Sequence, residues 1–353
     1  MKNNGLRGDG MKWAQRVSSI SLTLTFVVIL AGSIVRMTGS GMGCPDWPKC
    51  FGLMIPPTSI EDVIFDDARS YSQGMMVIRN DTLWVAKSGL LQGSWNPSQW
   101  IKYPHHDYAI FNPLHTWIEY INRLATVLYG IPVLLLIPIS YSIYRRTKKV
   151  AALWIAVLIN LTVLYEAWLG KLVVDGVLEK GSVSLHMVGS LALIVWLTIY
   201  RYRLVETKHS DIETPALVKR MTIIMGILTL VQIFLGTQVR ECTDVIAANH
   251  SDRSKWVELM PFVFVVHRSS SWLLLITSLI LVAQTKIKTG NAMGSQWILL
   301  LVISSMSLGI ILAECDMPRI AQPLHLFMAA LLFFVIIRSI VRATGKQEPL
   351  NQL

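Results

Sequence analysis

Eight stretches of the chain are apolar for long enough to span a bilayer, and the polar residues collect between them: 16–36, 114–142, 150–172, 184–201, 218–239, 260–284, 296–313 and 321–341. A membrane helix needs about 20 residues to cross a hydrocarbon core about 30 Å thick, and the fourth and seventh stretches meet that at the short end. The pattern predicts an all-α membrane protein with eight transmembrane helices. Residues 37–113 form the one large extramembrane segment, read as a cap on the outer surface. The first stretch is long for the apolar core of a signal peptide. It is followed by Arg36 rather than a small-residue cleavage site, so it reads as a retained span.

Composition agrees. Of 353 residues, 53% are hydrophobic and 15% charged, and the mean hydropathy is +0.49, well outside the range of soluble domains. The net charge of +10 is no sign of nucleic-acid binding, because its placement explains it. Basic residues collect at the N-terminus (Lys2, Arg7, Lys12, Arg16), at Arg145, Arg146, Lys148 and Lys149, between Arg201 and Arg220, at Lys286 and Lys288, and in the Arg338, Arg342, Lys346 tail. These segments alternate with mixed or acidic loops. The positive-inside rule therefore puts both termini in the cytoplasm of a multi-pass inner (plasma) membrane protein, with 37–113, 173–183, 240–259 and 314–320 facing outward.

All four cysteines, Cys44, Cys50, Cys242 and Cys315, then fall in or at the edge of outward loops. The Cys44-Pro-Asp-Trp-Pro-Lys-Cys50 spacing is too wide for a zinc knuckle or thioredoxin motif. In an oxidising compartment a disulfide is the simplest reading, and closing so short a loop contributes roughly 2–3 kcal/mol. Cys242 and Cys315 form a second inter-loop bridge or remain thiols. The adjacent His105 and His106 are candidates for metal, although neighbouring loop histidines are more often solvated.

The two halves of the chain echo each other. Gly32-Ser-Ile-Val-Arg36 closes the first span as Gly236-Thr-Gln-Val-Arg240 closes the fifth. Gly170 precedes His186 by 16 residues, and Gly309 precedes His325 by the same 16. Asn122-Arg123 in the second span corresponds to His267-Arg268 in the sixth. Each unit has an even number of spans, so the copies share one topology about an axis along the membrane normal. The expected domains are an N-terminal four-helix bundle (1–203, carrying the loop 37–113) and a C-terminal four-helix bundle (204–353).

Polar groups inside spans mark function by default. His186, His267 and His325 each lie a few residues inside the outer end of an inward-running helix. His267 and His325 share one depth in the second bundle, which suits bis-imidazole ligation of a haem. The blander alternative for each is a hydrogen bond to a nearby carbonyl. In the first bundle Asn122, a poor iron ligand, takes the place of His267. His115 would have to act from about 10.5 Å further along the helix. His115, Glu119 and Asn122 fall within about 60° of arc on one face. Glu119 has Phe264 as its counterpart, so the first bundle carries an acid–base group that the second lacks. Glu166, four residues before Gly170, reads as a packing or proton-path residue.

Together these residues resemble the haem A synthase family. The resemblance rests on Gly-Ser-Ile-Val-Arg-Met-Thr-Gly-Ser-Gly-Met-Gly-Cys-Pro-Asp-Trp-Pro (32–48), Glu119 to Arg123, Gln232-x-x-Leu235-Gly236, His267-Arg268 and Gln322-x-x-His325, and it spans essentially all eight helices. It implies haem b held between His267 and His325, with substrate haem O bound in the first bundle near Glu119 and His186. It also implies a Cys44–Cys50 pair. The chain departs from the family pattern in having Asn122 where the motif has histidine, and Glu166 where glutamine is usual.

The expected function is oxidation of a ring methyl of haem O to a formyl group, for cytochrome oxidase biogenesis. Glu119 would be catalytic, His186, Asn122, Arg123 and Arg36 would surround the substrate haem, and His267, His325, Arg268 and Arg240 would hold haem b. The four arginines suit propionates, as guanidinium forks suit carboxylates; interfacial anchoring is their alternative role. Compatible partners are haem O, membrane lipid, a haem O synthase or oxidase assembly factor, and a second copy of the chain, with no nucleic acid. The rival expectation is a non-catalytic haem-b electron-transfer or haem-handling protein diverged from that family. A transporter fits less well, because the polar groups cluster at one side instead of lining a path.

Overall fold

A computed structural model describes residues 2–89, 91–103, 111–174, 181–205 and 214–344. The helices run α1 (Lys2–Thr38), α2 (Pro113–Thr147), α3 (Ala151–Val174), α4 (Ser182–Ile199), α5 (Ala216–Asn249), α6 (Phe262–Thr289), α7 (Met293–Glu314) and α8 (Ala321–Thr344). Among the described residues, eight helices are long and apolar enough to cross a membrane. The protein is an all-α multi-pass membrane protein. Helix α5 is longer than its apolar stretch. Its 34 residues make about 51 Å of helix, so the expected loop 240–259 begins as helix through Asn249.

By internal contacts the chain forms two compact units. One comprises 1–30, 128–166 and 180–353, the other 31–127 and 167–179.

The larger unit is built on two apolar cores. In one, Leu136, Ile159, Ile194 and Leu197 are fully buried, and Phe26 meets Phe327 and Phe334 edge-on. Lipid tails are as apolar as these side chains, so close packing and interhelical hydrogen bonds must add specificity. Ser140 Oγ and Tyr200 Oη lie 2.7 Å apart. Thr25 Oγ1 donates to Tyr129 Oη at 3.2 Å, and Asn160 Nδ2 donates to Val133 O at 3.1 Å. The second core joins α5, α6, α7 and α8 through Met225, Leu281, Ile298 and Ile336.

The smaller unit contains most of the long extramembrane segment, and this is not featureless. A three-stranded antiparallel sheet, β1 (Met76–Arg79), β2 (Thr82–Ala86) and β3 (Trp100–Lys102), is ordered β1-β2-β3. Asn80 and Asp81 join the first two strands with φ of 49° and 52°. That is the left-handed turn that two-residue hairpins need and that Asn and Asp tolerate. The sheet's faces are covered by aromatic side chains. Tyr71 and Trp100 are buried, Phe65 stacks on Tyr71, and the Arg79 guanidinium lies 4.5 Å from the Trp95 ring centre.

Candidate functional site

Two groups of polar side chains stand out, one in each unit.

In the larger unit, His267 on α6 and His325 on α8 face one another with ring centroids 6.3 Å apart and an interplanar angle of 83°. Metal–imidazole bonds of about 2.0 Å, with each nitrogen about 1.1 Å from its ring centre, put two axial imidazoles about 6.2 Å apart. The observed centroid spacing of 6.3 Å leaves room for a metal between the rings. Each ring packs against a glycine. A Cβ at Gly236 on α5 would meet His267 Cε1 at 3.2 Å, and one at Gly309 on α7 would meet His325 Cε1 at 3.4 Å. A side chain at 236 would press on the His267 ring, and one at 309 would come into contact with His325, so the two glycines let α5 and α7 lie close to the rings.

Neighbouring groups orient the pair. His325 Nδ1 lies 2.9 Å from Ser305 O. A carbonyl can only accept, so Nδ1 carries the proton and Nε2 keeps its lone pair. For His267, Gln232 Nε2 donates to the backbone carbonyl at 2.6 Å, and Ser270 Oγ donates to Gln232 Oε1 at 2.7 Å. His267 Nδ1 is buried without a hydrogen-bond partner, an arrangement that costs free energy unless a ligand or ion completes it. Nearby, Arg240 donates to Gln322 Oε1 and pairs with Asp244 at 2.8 Å. The Arg268 guanidinium lies 5.7 Å from the Phe264 ring centre.

His186 belongs to the same unit. Its Nδ1 lies 2.9 Å from Glu166 Oε2. Glu166, expected as a packing or proton-path residue, is thus a partner of His186; its signal in the sequence is the repeat register, which sets Glu166 against Ser305.

In the smaller unit, Glu119 is 4% exposed, and both of its carboxylate oxygens are engaged. Cys44 N donates to Oε2 at 2.9 Å, and Arg123 Nη2 donates to Oε1. Arg123 also donates to the carbonyls of Asp46, Lys49 (2.9 Å) and Cys44 (3.1 Å). The Glu119–Arg123 ion pair on α2 therefore clamps the loop closed by the Cys44–Cys50 disulfide. Gly43 rests on α2 so closely that a Cβ would lie 2.6 Å from the His115 backbone, and Thr116 Oγ1 donates to Gly43 O at 2.9 Å.

Asp46 is half-buried beside this clamp. Burial raises its carboxyl above the ordinary range, against the opposing effects of the Gly52 N–H and the Arg123 charge. Asn122 Oδ1 is buried without a partner, 3.9 Å from where a Cβ on Gly32 would sit. Arg36 lies in the last turn of α1. His115 offers its backbone N–H to Asn112 Oδ1 at 3.2 Å. Cys242 and Cys315 are free thiols, which decides that alternative. His105 and His106 lie outside the described residues. Among the described residues no group of three or more His, Cys, Asp or Glu side chains is placed to hold a metal ion.

Paired imidazoles on two spanning helices are the side-chain set with which helical membrane proteins hold haem. Residues 15–85 and 98–337 match the COX15-CtaA family, described as cytochrome oxidase assembly protein, and the chain belongs to that family. It is also 27% identical over 184 residues to the heme A synthase of Shewanella oneidensis. That alignment covers 52% of this chain and 43% of the relative, so the chain matches less than half of the relative's length.

Proposed function

We propose that the protein is an oxidoreductase that converts haem O to haem A by successive oxidation of a ring methyl to a formyl group. The observation that carries this reading is the His267–His325 pair at 6.3 Å in a chain of the COX15-CtaA family. In it, the two imidazoles hold haem b, with Arg268 and Arg240 toward its propionates. When bound, that haem supplies one-electron chemistry. Ser305 O keeps the proton on His325 Nδ1, and the Gln232–Ser270 pair fixes the backbone of His267.

His186 positions the substrate iron. Glu119 is the acid–base residue, with Arg36, Asn122 and Arg123 as further substrate-haem residues, on the family resemblance. We place the two functions in four-helix bundles 1–203 and 204–353, with both termini cytoplasmic in the inner (plasma) membrane. A haem O synthase or an oxidase assembly factor, and a second copy of the chain, are its proposed partners.

One observation favours a second reading. Both Glu119 oxygens hold the Cys44–Cys50 loop, and Asn122 brings no imidazole. A haem-b electron-transfer or haem-handling protein needs neither group for chemistry. Pigment extraction from membranes co-expressing the protein with a haem O synthase separates the two. Haem A in the extract supports the enzyme; unchanged haem O beside haem B sinks it.

A further inference from the structure

His186 and His325 occupy matching places in the repeat, and each Nδ1 bonds a group 20 residues earlier in the chain. The acceptors differ. His325 has the backbone carbonyl of Ser305 at 2.9 Å, whereas His186 has the side-chain carboxylate of Glu166 at 2.9 Å. Helix α4 makes room for that carboxylate. Gly189 lies one turn beyond His186, and a Cβ there would run into Glu166 Oε1 and lie 2.7 Å from its Cδ. In the second half the residue one turn beyond His325 is Met328, and the upstream residue is the small Ser305. Glutamate and glycine thus occur together in one half, and serine and methionine in the other.

The geometry points to Glu166 as a positioning residue that makes His186 a stronger axial donor than His325, an inference that rests on His186 being the ligand of the substrate iron. A carboxylate accepts the Nδ1 proton, fixes the ring's tautomer and leaves the Nε2 lone pair for the metal. Acceptors of this kind orient a ligating imidazole and raise its basicity. A charged acceptor makes a hydrogen bond roughly twice as strong as a neutral one, so the effect is larger at His186 than at His325. Glu166 Oε1 is buried without a hydrogen-bond partner, while Oε2 faces His186 Nδ1.

The test uses the full-length protein in detergent, titrated with haem O, in the wild type and in Glu166→Gln, Gly189→Ala and His186→Ala variants. The readouts are haem O affinity, the ferrous iron–histidine stretching band in resonance Raman spectra, and the midpoint potential of the added haem. Replacing Glu166 by glutamine should weaken haem O binding about 10- to 100-fold, lower the stretching frequency and raise the midpoint potential. The low-spin haem spectrum of the His267–His325 site should be unaffected. Gly189→Ala should shift all three haem O readouts the same way, by displacing the carboxylate.

If His186→Ala abolishes the stretching band while Glu166→Gln leaves band, potential and affinity at wild-type values, the positioning role is wrong and the ligand assignment stands. If His186→Ala leaves the added haem unchanged, the ligand assignment itself fails. A merely structural Glu166 would lower the protein's melting temperature without moving the band of the haem that still binds, and that outcome also overturns the proposal.

Discussion

The imidazoles of His267 and His325 stand 6.3 Å apart and nearly perpendicular, although they are carried by helices separated by all of α7. What holds them there is local. Gln232 bonds the backbone carbonyl of His267, Ser305 O bonds His325 Nδ1, and Gly236 and Gly309 let α5 and α7 approach the rings.

The two glycines should not be equally sensitive. A Cβ at 236 would sit 3.2 Å from its imidazole and one at 309 would sit 3.4 Å from its own. The first is tighter than ordinary contact and the second is at its edge. Gly236→Ala should therefore perturb the electron paramagnetic resonance g-values of the bound haem more than Gly309→Ala. Equal spectra for both variants would show that the glycine contacts do not set the ring orientation.

Arg123 should matter more to stability than its partner. Without Glu119, the guanidinium keeps three carbonyl acceptors; without Arg123, a buried carboxylate keeps backbone N–H donors such as Cys44 but loses its countercharge. Breaking a buried pair so as to strand one charge costs about 3–5 kcal/mol. Arg123→Ala is expected near that range and Glu119→Ala below it, measured as denaturation in detergent and as protease access to the 37–113 loop. The reverse order would remove the clamp from the account.

Asp46 gives a pH dependence. Burial raises its carboxyl above the ordinary value of 3.8, so the folded protein holds this proton more tightly than the unfolded chain. Its contribution to stability is greatest in acid and is lost as pH rises from the ordinary value through the raised one. Asp46→Asn keeps an oxygen for the Gly52 N–H and removes the titration. The variant's melting temperature should gain on the wild type as pH rises from about 3 to about 7. A constant difference across that range would contradict the sign or the cause.

Much of the frame was legible in the chain, because a span needs only length and apolarity. Each of the eight expected stretches falls on a spanning helix, starting at most two residues before it. The expected common depth of His267 and His325 came from their places a few residues inside the outer ends of two inward-running helices, a count that needs only position along a helix. The same reasoning could not reach contacts whose partners are distant in sequence. Cys44 N meets Glu119 across 75 residues, and nothing in local periodicity signals that bond. The 76–102 sheet went unread because its strands are three to five residues long and its Asn80-Asp81 turn sits among aromatics that also suit a membrane-surface cap. Glu166 was legible only through a register in which a side chain replaces a backbone carbonyl.

The most direct measurement is the reduced-minus-oxidised absorption spectrum of the purified protein, with His267→Ala and His325→Ala compared with wild type. The account predicts a low-spin haem b signal in the wild type that disappears in each variant. Retention of that signal in both variants would contradict the assignment of these histidines as the axial pair.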